Sequence, residues 1–274
     1  MEQSLARRSR LSRSADLLSS ARSGFSLVEL SIVLVILGLL TGGILTGQNL
    51  IRAAELRAVT TEAQTYLTSI RTFQGKYFAM PGDITNATAF WGAPGGNIAN
   101  CPATAGTGTE TCNGDGNGEI TASGSNRYAE PFTAWQHLAN AGLIEGTYTG
   151  RVAAPSTSYI AGGNAPASRI SSGVWGLETM HDNNGNGYRF NMDYGTMLMF
   201  GVVNGTTRPY GDVLTPTEAW GIDKKMDDGL PAQGRVILFN LTDCAVNIDD
   251  VNDHVGEYNL ASDGKDCGLY FLFR

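Results

Sequence analysis

Glu29 is the only charged residue between Phe25 and Gly47, and fourteen of those 23 residues are Phe, Leu, Val or Ile. A lone carboxylate in such a run costs free energy, so its chemistry is that of a group awaiting a compensating partner. The apolar side chains contribute roughly −4 to −8 kcal/mol to membrane insertion in total. That outweighs a mid-bilayer acid penalty of about 2.5–3.5 kcal/mol. At about 1.5 Å of rise per residue, some 20 of these residues match a hydrocarbon core about 30 Å thick. The segment is expected to span a membrane. A cleaved secretory signal is the competing reading, but Gly-Gly-Ile-Leu-Thr-Gly-Gln at 42–48 is a poor cleavage site and the run is long for one.

Two loops carry oxygen side chains at alternating positions before a glycine. The first holds Asn113, Asp115, Asn117 and Glu119; the second holds Asp182, Asn184 and Asn186, with Asp193 at its twelfth place. Both resemble the front half of an EF-hand loop, which makes these residues candidate Ca²⁺ ligands. The first has Gly124 where the bidentate acid belongs, and the second relies on neutral Asn184 and Asn186. So few charges imply weak, roughly millimolar, binding. The alternative for both is Asn/Gly turns.

The four cysteines, Cys101, Cys112, Cys244 and Cys267, all follow the apolar run. An even count on an exported side suggests disulfides, and of the three connectivities the sequence-local pairs Cys101–Cys112 and Cys244–Cys267 are expected. Buried free thiols are the alternative. Zinc is disfavoured, because there is no CxxC and His137, His181 and His254 are scattered. No nucleophile elbow, metalloprotease helix, Walker loop or dinucleotide fingerprint occurs, so no catalytic residues are expected.

The elements that must position these groups follow from pattern and charge. Residues 1–24 carry five Arg against Glu2 and Asp16, a cytoplasmic topology signal; the remainder carries 14 basic and 24 acidic residues. That acidic excess argues against nucleic acid as a partner. Leu56, Val59, Ala63, Tyr66, Ile70 and Phe73 form an apolar helical stripe, with Gly75 as the expected terminator. Gly38/Gly42 and Gly43/Gly47 fit small-xxx-small spacing, which also fits ordinary glycine enrichment in membrane helices. Residues 82–126 read as loop, and 130–140 as a helix with Phe132, Trp135 and Leu138 on one face. Strands are expected at Val174–Met180, Met197–Val203, Arg235–Asn240 and Gly268–Phe273, and a capping box at Thr215–Glu218. Asp227-Asp228-Gly229 reads as a helix end, and the acidic stretch 243–266 as a solvated loop. A long helix followed by short helices and an antiparallel sheet is an α+β fold.

Residues 24–56, GFSLVELSIVLVILGLLTGGILTGQNLIRAAEL, resemble the N-terminal signature of type IV pilins and type II secretion pseudopilins. The resemblance implies a pilin-like fold, a helix packed on an antiparallel sheet with long Gly/Asn-rich loops. It also implies cleavage by a prepilin peptidase between Gly24 and Phe25, N-methylation of Phe25 and assembly with other pilin subunits from the inner membrane lipid. Glu29 then matches the acidic fifth residue of the mature chain, able to pair with a neighbour's Phe25 amine. WQHLANAGLIEG and IDKKMDDGLPAQGRV look like segments of larger members, and Cys244–Cys267 would close a C-terminal loop as in many pilins. The implied organisation is a leader 1–24, an assembly half 25–47, an amphipathic half 48–75 and a head 76–274. The length points to a minor or specialised subunit. A membrane-tethered binding module using Trp91, Trp135, Trp175 and Trp220, or a DNA-uptake pilin, is the rival reading.

Overall fold

The stripe from Leu56 to Phe73 decides what the long helix packs against. In the computed structural model, which describes residues 24–98, 101, 108–121, 129–151, 159–181, 189–204, 208–239, 241–248 and 254–273, helix α1 spans Leu27–Tyr77. The chain divides into two units, Met1–Leu50 and Ile51–Arg274, and α1 contributes residues to each. In the first unit every described residue except half-buried Gly47 is exposed. In the second, Val59, Ala63, Leu67, Ile70 and Phe73 are buried, with Leu56 and Tyr66 packed at the edge of the core. Each fully buried Val, Ile or Phe contributes about 1.5–3 kcal/mol.

The stripe lies on a five-stranded antiparallel sheet built from β1 (Val174–Met180), β2 (Gly195–Asn204), β3 (Arg208–Gly211), β4 (Val236–Phe239) and β7 (Gly268–Leu272). The order is β1-β2-β7-β4, with β3 paired to the end of β2 across a register shift between Val202 and Val203. Trp175 opposes Phe200, and Leu198 opposes Phe271, so these side chains share the face turned to α1. Tyr66 meets Trp175 edge-on at 5.4 Å, and Glu62 accepts a hydrogen bond from Trp175 Nε1 at 2.9 Å. The other face carries Tyr270 against Phe239, and Arg208 held by two hydrogen bonds to Glu178. With both faces covered, β4 and β7 read as unbroken apolar runs rather than alternating ones.

Helices α2 (Ala87–Trp91), α3 (Ala129–Asn140), α4 (Pro216–Met226) and α5 (Leu241–Cys244), with the β5–β6 pair Ala245–Val246 and Glu257–Tyr258, complete the second unit. The Thr215–Glu218 capping box forms: Glu218 N–H donates to Thr215 Oγ1, and Thr215 N–H to Glu218 Oε2. Cys101 pairs with Cys112 and Cys244 with Cys267.

Three expectations need correction. Gly75 does not end α1; the helix continues to Tyr77 and Phe78 takes the left-handed position at φ +54°. Phe73 against Tyr77 at 4.4 Å carries the helix past the glycine. Secondly, α3 is not one-faced: Gln136 and His137 are as buried as Phe132, Trp135 and Leu138. The stretch 82–126, read as loop, contains among its described residues α2 and a 3-10 turn at Pro94–Gly96 and supplies partners for that polar face. Gln136 Nε2 donates to Glu110 O at 2.9 Å, and Thr111 Oγ1 donates to Gln136 Oε1 at 2.6 Å. The loop and α3 touch closely there, since a Cβ at Gly82 would collide with Glu130 O at 2.6 Å. Thirdly, the stretch from Asp243 is not all solvated, because β5 and β6 set Tyr258 into the core.

Candidate functional site

Gly24, Phe25 and Ser26 are non-helical, and α1 begins at Leu27. Ser26 makes that start. Its Oγ accepts from Val28 N–H at 3.3 Å, its carbonyl accepts from Leu30 N–H at 3.1 Å, and its own N–H donates to Glu29 Oε2 at 2.9 Å. This is a reciprocal cap of the Ser-x-x-Glu kind, which satisfies orphan donors of the first turn. The carboxylate also lies at the positive end of the helix dipole. Glu29 is therefore held over the first turn rather than loose in solvent.

The rest of this half of α1 suits an apolar medium. It belongs to the one helix, among the described residues, long and apolar enough to cross a membrane. Thr41 and Thr46 donate their hydroxyls back to Leu37 O and Gly42 O, at 2.9 and 3.0 Å. Among the described residues, the helix's own neighbouring backbone apart, no atom lies within 4 Å of where a Cβ would stand at Gly38, Gly42, Gly43 or Gly47, so these positions leave room for close approach.

In the head, the residues of the first candidate metal loop have separate partners. Asn113 Oδ1 accepts from Thr88 N–H in the first turn of α2, at 2.8 Å. Asp115 and Asn117 accept from the backbone two residues on, as turn formers do, and Glu119 lies 3.2 Å from His181 Nε2. What converges is a different set: Asp83, Asp115 and Glu130 bring carboxylate oxygens within 4.8 Å of one another. Those three could hold a divalent cation. Asp83 accepts from the N–H groups of Gly116, Asn117 and Gly118, and Glu130 from those of Asp115 and Thr121. Burial pushes Glu130 up to about 7, against those hydrogen bonds and with help from the Asp115 and Asp83 charges. Burial likewise raises Asp83.

Of the second loop, Asp182, Asn184 and Asn186 lie outside the described residues, and Asp193 Oδ1 sits 2.8 Å from His181 Nδ1. A further group, Asp223, Asp227 and Asp228, closes the end of α4. Burial raises Asp223 to about 7 even though Tyr258 OH donates to it at 2.8 Å. His137 is a core residue: Nδ1 accepts from Gly82 N–H at 2.9 Å, Nε2 faces Thr111 Oγ1 and Cys112 O, and burial lowers it to about 4. The tryptophans do not line one ligand surface. Trp135 and Trp175 are wholly buried, Trp91 stacks 5.4 Å from His137, and Trp220 lies under Lys224.

Sequence reasoning missed Ser26, although Ser-x-x-Glu before an apolar run is a written signal for a helix start. It missed Asp83 and Glu130, which no spacing connects to Asp115. It also missed Arg52, whose Nε and Nη2 reach Glu218 at 2.5 and 2.6 Å and tie α1 to the cap of α4.

Neither the curated proteins nor the solved structures contain a match to this chain. Residues 19–45 match the prokaryotic N-terminal methylation motif, and that stretch includes Gly24, Phe25, Ser26 and Glu29. The chain thus opens with the signature of a type IV pilin-like or pseudopilin-type precursor, joined to an α+β head consistent with a pilin-like fold.

Proposed function

We propose that this chain is a non-enzymatic structural subunit, minor or specialised, of a type IV pilus or a type II secretion pseudopilus. Prepilin peptidase cuts between Gly24 and Phe25, Phe25 is N-methylated, and the mature subunit waits in the inner membrane with its head in the periplasm. Assembly then bundles the apolar halves of many helices. The observation that carries this reading is the methylation motif at 19–45 placed over a span whose only charge is Glu29. A carboxylate and an ammonium buried together offset each other's desolvation, whereas either alone is costly. Glu29 of one subunit therefore pairs with the Phe25 amine of the next and fixes the axial register.

The test is Glu29→Gln in the full chain, which removes the charge and keeps a side-chain oxygen for Ser26 N–H. Membrane insertion and loss of the leader stay as in wild type, and incorporation into filaments falls. Incorporation at the normal level removes the pairing. Gly24→Glu should leave the leader attached, visible by mass spectrometry.

A second reading is a membrane-tethered module whose head binds calcium, and the meeting of Asp83, Asp115 and Glu130 favours it. Calorimetric titration of the detergent-solubilised chain with Ca²⁺ separates the two: no heat and no shift in Tm dismisses the module. The acidic excess beyond residue 24 speaks against a DNA-uptake pilin.

A further inference from the structure

A peptidase must reach its scissile amide in an extended segment, with the flanking carbonyl and N–H free to bind the enzyme. Helical residues do not offer this, because each carbonyl is tied to the N–H four residues on. The Gly24–Phe25 bond lies two residues ahead of the first helical residue, so the position of the helix start decides whether it can be cut. We propose that Ser26 is a positioning residue for this cleavage: by capping α1 at Leu27 it keeps the Gly24–Phe25 bond outside the helix. The proposal rests on the reading that the chain is processed at this bond.

Three contacts carry it. Val28 N–H is taken by Ser26 Oγ, Leu30 N–H by the Ser26 carbonyl, and Ser26 N–H by Glu29 Oε2. Among the described residues no helical bond is made upstream of the Ser26 carbonyl. Phe25 is 90% exposed, and among the described residues, chain neighbours apart, nothing lies within 4 Å of where a Gly24 Cβ would stand. Among the described residues nothing covers the scissile amide.

Removing the cap gives the helix another place to begin. Ser23 is the next capping residue upstream. A start there puts Gly24 and Phe25 into the first turn, where the Gly24 carbonyl becomes an acceptor of the ladder. The cleavage itself is plain hydrolysis. Water adds across the amide, the C–N bond breaks, and Gly24 leaves as a carboxylate while Phe25 becomes an ammonium. Ser26 takes no part in the bond changes; it sets how often the bond is presented.

Glu29 has two separable duties in this scheme. As a cap it needs only a side-chain oxygen, which glutamine also supplies. As an assembly residue it needs its charge. Glu29→Gln therefore keeps presentation and loses pairing, whereas Ser26→Ala loses presentation and keeps the charge.

The experiment follows removal of the leader from the full chain in membranes containing prepilin peptidase, by mass spectrometry, with amounts normalised to the membrane-inserted fraction. Ser26→Ala should be processed measurably more slowly, by up to about fivefold, the change in the helix-start equilibrium constant that loss of one N-cap produces. Ser26→Thr, which keeps the hydroxyl, and Glu29→Gln should run at the wild-type rate. A Ser26→Ala chain cut as fast as wild type overturns the proposal, as does Ser26→Thr running as slowly as Ser26→Ala. Wild-type chain that keeps its leader would instead overturn the processing reading and this proposal with it. Normal filament entry by Glu29→Gln would sink the charge pairing and leave the role of Ser26 standing.

Discussion

The two halves of α1 obey the same backbone rules and opposite packing rules. From Leu27 to Leu50 no residue is buried; from Ile51 to Tyr77 six are, at Val59, Ala63, Leu67, Ser69, Ile70 and Phe73. The first half is apolar all round and the second on one stripe. A helix apolar on every side asks for a surrounding that is apolar on every side, lipid or other helices. A striped one asks for a single core. The contrast extends to their acids: Glu29 caps its own helix, whereas Glu62 reaches out of it to Ser168, Arg169 and Trp175.

The largest effect should come from cutting a core side chain out of the outer half. Phe73→Ala removes a fully buried ring that meets Tyr77, Trp91 and His137. Denaturant unfolding of the detergent-solubilised chain, followed by tryptophan fluorescence, should show about 3–5 kcal/mol lost. Leu34→Ala in the inner half should leave the same transition within about 0.5 kcal/mol, because Leu34 has no protein core to lose. Equal losses for the two would break the comparison.

A smaller effect concerns the head's buried ionisable groups. Glu130 and Asp223 are each raised to about 7, so the folded chain holds their protons more tightly than the unfolded chain does. Their stabilisation is full below the unfolded carboxylate value near 4 and is lost as pH rises through about 7. His137 runs the other way: lowered to about 4, it destabilises the fold as pH falls from about 6.5 through 4. Between pH 4.5 and 6.5 the two tendencies oppose. From about 6.5 to 7.5 only the carboxylates act, and stability should fall by on the order of 1 kcal/mol. Glu130→Gln should flatten that slope, and Glu29→Gln should leave it untouched. A slope that follows Glu29 rather than Glu130 would erase the separation between the halves.

How far the sequence disclosed this follows from the range over which each signal acts. Gly24, Phe25 and Glu29 stand at fixed offsets in one segment, so the methylation motif at 19–45 is readable from side-chain type and spacing alone. The same holds for Thr215–Glu218, where a four-residue pattern is the whole structure of the cap. β1 and β7 are legible as short runs rich in aromatic and aliphatic residues. β3 is not: Arg-Pro-Tyr-Gly is a poor strand by propensity and is held by pairing with β2 and by the Arg208–Glu178 contact. The polar face of α3 hid its burial, because Gln136 and His137 are satisfied by loop atoms far away in sequence. Asp83, Asp115 and Glu130 meet only after that loop has wrapped the helix.

The smallest effect tests where the outer half stops. Pattern placed the stop at Gly75, whereas the left-handed residue is Phe78, 93% exposed. Gly75 is exposed and helical, with nothing within 4 Å of a Cβ placed on it, so an alanine there meets no clash. Gly75→Ala should stabilise the head by about 0.5–1 kcal/mol through helix propensity alone. Phe78→Gly should relieve the cost of a side chain at positive φ, also by up to about 1 kcal/mol, since glycine adopts that conformation freely. Gly43→Ala adds a methyl to an equally open site in the inner half, yet the head transition should not register it. If Gly75 were the true stop, Gly75→Ala would destabilise, because alanine tolerates the left-handed position poorly. The sign of that one substitution decides whether the helix ends by its local code or by the Phe73–Tyr77 packing that carries it two residues further.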